Sequence, residues 1–222
     1  MIENKLNFFF KNQIWHIGGL LLLFYLSNQI VDFKNNSNIF LGIGVKNWFL
    51  FSMMTPLLHQ GYVWLCWRSE LCWKTISRTI GFKVYALIFI IIMISRLFSI
   101  GLCFADYGSW FNPGLIAWAI SILIFIPFIY TIYSVKKYFG FMRATGIDHF
   151  DPNYKNIPFE KRGIFKWSSN AMYTFAIGIF FGFAVSAGSK AMFVFAVYTY
   201  IGTWLHYFCT EKEDFKVIYG KQ

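Results

Sequence analysis

Two short clusters near the C-terminus hold side chains suited to chemistry. Ser169-Asn170-Ala171-Met172-Tyr173 closes a basic stretch, and Glu211-Lys212-Glu213-Asp214 comes later in the chain. The Asn170 side chain both donates and accepts hydrogen bonds, so it suits the edge of a polar ligand. Glu211 can pair with an ammonium or with hydroxyls. Phe165, Trp167, Tyr173, Trp204 and Tyr207 offer aromatic faces, each of which attracts a cation by roughly 0.5–2 kcal/mol. Lys161, Arg162 and Lys166 offer charge to a phosphate or carboxylate. An amine nucleophile would need a base, for which Glu211, Glu213 and His206 are candidates. In a continuing helix, positions 206 and 213 fall near one face.

The elements that bring these clusters together are apolar. The chain has 222 residues, of which 57% are hydrophobic and only 14% charged, with a mean hydropathy of +0.50. Soluble domains carry about 25% charged residues. Runs without Asp, Glu, Lys or Arg occupy 12–31, 47–67, 107–135, 167–189 and 191–210. Each is long enough for the roughly 20 residues that cross a hydrocarbon core. A sixth, Val84–Ser95, continues past Arg96 through Phe104. Backbone groups in lipid must be satisfied within the segment, so the spans are helical. The expected fold is an all-α integral membrane protein with six transmembrane helices and a C-terminal helical hairpin. Residues 1–135 form a four-span scaffold and 136–222 the functional core, within one structural domain.

Between the last two runs stands Lys190, in Gly188-Ser189-Lys190. A hairpin there returns the chain to the face it left, so the two clusters meet at one membrane surface. The net charge of +10 is sorted by connecting segment. One set holds Lys5 and Lys11; Arg68, Lys74, Arg78 and Lys83; Lys136, Lys137, Arg143, Lys155, Lys161, Arg162 and Lys166; and Lys212, Lys216 and Lys221. The other set holds only Lys34, Lys46 and Lys190. This bias places both termini in the cytoplasm and accounts for the basic excess without nucleic acid. The first apolar run lacks a small-x-small cleavage site and is expected to be a retained span.

The C-terminal clusters resemble a known signature. Gly163-Ile164-Phe165-Lys166-Trp167-Ser168-Ser169-Asn170-Ala171-Met172-Tyr173 is similar to the Gly-x-Tyr-x-x-x-Arg-His-Pro-x-Tyr element of isoprenylcysteine carboxyl methyltransferases and phospholipid methyltransferases. The phosphatidylethanolamine N-methyltransferase branch has Asn-Pro-Met-Tyr there, closer to Asn170-Ala171-Met172-Tyr173. Tyr138-Phe139-Gly140 through Arg143 resembles that branch's aromatic-Gly helix end. Glu211 through Gly220 fits the frame of its downstream acidic pair and following helix. Ser169-Asn170-Ala171 stands where the family has Arg-His-Pro, Lys212 replaces the second acid, and Phe165 replaces the first Tyr.

The resemblance implies an S-adenosylmethionine-dependent membrane methyltransferase acting on an amphiphile at the cytoplasmic boundary. The substrate would be a phospholipid amine or else a prenylated cysteine carboxylate. Phe165, Asn170, Ala171, Met172, Tyr173 and Glu211 would hold the cofactor, Glu211 and His206 would act in catalysis, and Arg162, Lys166 and Tyr207 would receive the substrate. Partners are then a lipid or lipidated substrate and the membrane, with no metal. An NADPH-dependent sterol-type reductase shares a similar C-terminal spacing, with the basic residues at 161–166 for a 2′-phosphate. A non-catalytic scaffold or transporter is the third reading.

Other residues carry blander expectations. The cysteines at 66, 72, 103 and 209 form no CxxC pair, which argues against zinc and disulfides. His16, His59 and His149 lack metal-ligand spacing and read as structural. Glu213 and Asp214 read as a solvated helix exit, and Gly42-Ile43-Gly44 is not a phosphate loop. Pro56 and Pro127 should kink their helices. Arg96, a charge within a span, either snorkels or faces a polar cavity. The aromatic-basic stretch 138–146 is expected to carry the fourth span onward as a helix.

Overall fold

The computed structural model describes residues 4–33 and 38–220; Lys34 and Lys221, counted in the charge bias, lie outside them. The fold is helical apart from one antiparallel pair, Ile39–Phe40 with Ile43–Gly44. Gly42, at φ +76°, makes the turn between those strands.

The apolar runs become helices as hydropathy requires. Gln13–Ile30 and Val45–Trp73 cover the first two. Gly81–Ser95 passes through a 3-10 turn, Arg96–Ser99, into Ile100–Ala105. Leu115–Ser134 follows. Two stretches, Gly81–Ala105 and Leu115–Phe139, are long and apolar enough to cross a membrane. Only 33% and 17% of their most apolar windows are buried within the protein, so their hydrophobic sides face outward. A buried core helix of a soluble protein would do the opposite.

Proline does not interrupt the Val45–Trp73 helix. Pro56 cannot donate to the Ser52 carbonyl, and the Thr55 hydroxyl takes that carbonyl instead, at 2.8 Å. The fifth run departs from expectation at its start. Residues Gly163–Lys166 form a 3-10 turn, and the apolar helix covers only Met172–Ala187. The fourth helix also stops early. It ends at Phe139, and Gly140 at φ +90° turns the chain into the short helix Phe141–Ala144.

The C-terminal hairpin consists of Gly178–Ala187 and Lys190–His206. Its turn is held by Asp106, which accepts from the Ser189 hydroxyl at 2.7 Å and from Ala191 N at 2.8 Å. Phe49, Met53, Leu102, Phe180, Phe195 and Tyr198 are in the main core, which joins the hairpin to the N-terminal helices. At the opposite end the basic segments gather. Lys5, Lys74, Lys155 and Lys216 come from four separate connections and line one cleft of about 720 Å³.

Candidate functional site

Among the described residues three π turns, one closing a helix, one opening a helix and one between two helices, line one small cavity. They are Val135–Phe139, Met172–Ala176 and Tyr207–Glu211. A π turn inserts one extra residue into the helical register and is frequent at functional sites. Here the turns deliver Phe139, Met172, Tyr173 and Glu211 to the cavity wall. Trp67, Arg143, Asp148, His149, Phe159 and Phe215 complete much of the rest, around a volume of about 40 Å³.

The Tyr173 hydroxyl donates a short hydrogen bond to Glu211. The loop before the hairpin and the acid after it therefore meet. Trp204 and Tyr207 flank the phenol, with ring centroids 6.2 and 6.0 Å from it. Glu211 is 8% exposed and stands just past the last apolar run. Burial pushes its carboxyl up to about 7, against the bond from Tyr173 and with help from Asp214 and Asp148.

Other sequence candidates fall elsewhere. Phe165 is buried in a separate apolar cluster with Ile164 and Ala171, stacked on Phe139 at 5.2 Å. Asn170 uses its backbone to start the helix: its carbonyl accepts from Tyr173 N and Thr174 N, each at 3.0 Å. Arg162 is exposed and bound to Glu160 at 2.8–2.9 Å. Lys166 is exposed, so the 161–166 cluster does not line the cavity. His206 is buried beside His16 and Trp67, at 5.0 and 5.9 Å between rings. The π turn breaks the expected pairing of positions 206 and 213. Glu213 instead turns to Lys11 and Lys216, at 2.7 and 2.5 Å.

Residues 115–222 match the phospholipid methyltransferase family. The family suggested by the motif residues is thus the one the comparison finds, and it is a family of membrane methyltransferases. No curated protein and no solved structure matches the chain.

Much of what supports this matched segment comes from outside it. Arg68, from the Val45–Trp73 helix, forms an ion pair with Asp214, and both side chains have 0% exposure. Asp214 is therefore not a solvated helix exit: an acid there must be paired to be buried. His149 faces the same carboxylate at 3.3 Å and stacks on Trp67 at 4.0 Å. Arg68 also donates to the Cys209 and Thr210 carbonyls at 3.4 and 3.2 Å. Gln13 donates to Cys209 O and to the Thr210 hydroxyl, at 3.4 and 3.1 Å. These bonds fix the π turn that presents Glu211. Gly146 lets the loop pass at φ +83°, where a Cβ would run into the Trp67 indole.

Arg143 organises the other wall. It donates to Asp148 at 3.1 Å, to the carbonyls of Pro158 and Ile157 at 3.0 and 3.1 Å, and to the Tyr219 hydroxyl at 3.3 Å. Tyr219 in turn donates a short bond to Asp148. The sequence gives weak signals for Arg68 and Asp214, because the partners are distant along the chain. A buried carboxylate bonded to Tyr173, whose phenol Trp204 and Tyr207 flank, has the chemistry to hold a sulfonium ligand with an ammonium end. The enclosed volume is far below the roughly 300–1,000 Å³ of small-molecule pockets, so side chains must move for such a ligand to enter.

Proposed function

We propose that the protein is an S-adenosylmethionine-dependent membrane methyltransferase whose acceptor is a phospholipid amine. The hydrogen bond between Tyr173 and Glu211 carries the reading, because it joins the motif loop to the acid beyond the hairpin. Six spans with both termini in the cytoplasm put this junction at the inner membrane surface. On this reading, 1–135 is the scaffold and 136–222 the core. Two of the six spans meet the length and hydropathy required; the charge bias supports the rest.

When bound, S-adenosylmethionine supplies an electrophilic methyl on a sulfonium. Glu211 would pair with its ammonium or ribose hydroxyls, and the Tyr173 face, flanked by Trp204 and Tyr207, would stabilise the cation. Met172 lines the cavity, and Asn170, Ala171 and Phe165 set the start of the helix that carries Tyr173. Transfer depends on holding the acceptor nitrogen in line at near contact. A carboxyl shifted to about 7 is half ionised near neutrality. Glu211 can therefore accept the amine's proton with little mismatch. Phe159 and Phe215 must withdraw from the cavity for the donor to enter, and the neighbouring cleft, which shares Asp148 and His149 with it, supplies the route.

The test is to incubate purified membranes with methyl-labelled S-adenosylmethionine and extract the lipids. Label should appear in the ethanolamine phospholipid fraction and disappear in Glu211→Gln. Absence of label in both lipid and protein, from a folded sample, defeats the reading. Label confined to protein would move the acceptor to a lipidated cysteine.

A further inference from the structure

A second polar cluster lies within the apolar helices, deeper than the Tyr173–Glu211 junction. Arg96 opens the 3-10 turn in the middle of the Gly81–Ala105 stretch. It is buried, and its guanidinium donates to Nδ1 of His59 at 2.8 Å. Arginine has no acceptor, so this His59 nitrogen accepts and the ring proton stands on Nε2. That Nε2 is buried without a partner. So are Nε of Arg96, the Gln60 amide nitrogen, the hydroxyls of Ser99, Tyr198 and Thr199, and both ring nitrogens of His206.

These groups face one another. Tyr198, Gly202 and His206 recur every four residues along one face of the Lys190–His206 helix, and Gln60 packs against Gly202. Arg96 interacts electrostatically with the hydroxyls of Tyr198 and Tyr173, and His206 with His59 and Arg96. Tyr173 therefore stands between the two sites, bonded to Glu211 and within the field of Arg96.

A charge inside a membrane is costly and ordinarily faces a partner or serves a function. Among the described residues no carboxylate lies within ion-pair distance of Arg96. The unmet nitrogens of Arg96, His59 and Gln60 are all donors, and the nearby hydroxyls can donate as well. An acceptor with negative charge would satisfy these donors.

We propose that Arg96, with His59, Tyr198 and His206, binds the phosphate of the amphiphile whose amine is presented to Glu211. This rests on the lipid methyltransferase reading and narrows it. An ethanolamine phospholipid carries its amine a short spacer away from its phosphate, so the proposal assigns the two groups of one molecule to the two sites. A phosphate-free amine would leave the Arg96 donors unmet.

The full chain in detergent is titrated with dihexanoyl phosphatidylethanolamine, with dihexanoylglycerol and with inorganic phosphate. Melting temperature and the phosphorus NMR resonance are read for wild type and Arg96→Met. The phospholipid should raise the wild-type melting temperature and shift its phosphorus signal, and Arg96→Met should weaken it about tenfold or more, as for loss of a charged hydrogen bond. The glycerol lipid should show no dependence on Arg96. Equal phospholipid affinity in both proteins overturns the proposal, as does inorganic phosphate binding as well as the lipid. Arg96→Met leaves no uncompensated charge and should fold; if it does not, Arg96→Lys and Tyr198→Phe make the same comparison. Arg96-dependent lipid binding without methyl transfer would sink the proposed reaction and leave the phosphate site standing.

Discussion

At the end of the bundle where the basic segments gather, buried ions are paired. Arg68 meets Asp214, and Arg143 meets Asp148. In the middle of the bundle Arg96 donates to the His59 imidazole, and among the described residues no carboxylate lies within ion-pair distance of it. The first arrangement holds a structure together; the second leaves donors for something else to satisfy. The difference separates positioning from binding. Paired ions at the end lock the π turn that presents Glu211, and the donors in the middle are the ones the proposal assigns to an anion.

The largest effect should come from breaking a pair at the end. Asp214→Ala leaves the Arg68 guanidinium buried and uncompensated, which costs about 3–5 kcal/mol. Chemical denaturation in detergent should register that loss. The double change Asp214→Leu with Arg68→Met should recover most of it. If the single variant is no less stable than the double, the end network is not holding the fold.

Next comes Glu211, the acid the end network presents. Glu211→Gln should lower methyl transfer about 100-fold or more, the scale for loss of a positioned base. Wild-type turnover should rise as pH climbs through about 7 and then level, following ionisation of the raised carboxyl. Stability runs the other way. The folded state holds this proton more tightly than the unfolded chain, so its contribution is full below the ordinary value of 4.5 and is lost as pH rises through about 7. Glu211→Gln should flatten both profiles, and a wild-type rate independent of pH between 6 and 8 (approximate bounds on either side of that value) would remove Glu211 from proton transfer.

A smaller loss is expected at Gly146, on the wall between the two regions. Alanine there meets both a left-handed backbone and the Trp67 indole. The expected destabilisation is about 1–3 kcal/mol, read as a lower melting temperature. Because Trp67 stacks on His149, its fluorescence should change with it. An unchanged melting curve would mean that the loop is free to move off the Trp67 wall.

How much of this was legible in the sequence differs between the two regions. Apolar runs located the helices, since hydropathy alone determines which segments leave water. The Tyr173–Glu211 meeting followed from a hairpin of two such runs, and Arg96 stood out as a charge in a span. The helix ends were not legible. No residue type encodes a π turn, so the extra residue at 207–211 that turned Glu213 to Lys11 and Asp214 inward went unseen. Asp214 read as solvated because Arg68, its counterion, is far away in sequence. His149 carried no ligand spacing, and only the folded loop brings it to Trp67 and Asp214. Motif position points to Phe165 and charge to Arg162, yet Phe165 packs in a core and Arg162 on Glu160.

The surface pairs at the same end give the smallest effect and the sharpest control. Glu213 lies between Lys11 and Lys216, at 2.7 and 2.5 Å, with both lysine side chains 51% exposed. Water and salt screen such contacts, so each contributes about 1 kcal/mol or less. Lys11→Ala should therefore barely move the melting temperature, and what change there is should vanish at high salt. The same measurement on Asp214→Ala should persist at high salt, because its partner is sealed from ions. If Lys11→Ala proved as damaging as Asp214→Ala, burial would not be what distinguishes the pairs. The N-terminal segment itself would then be clamping the C-terminal helix over the cavity.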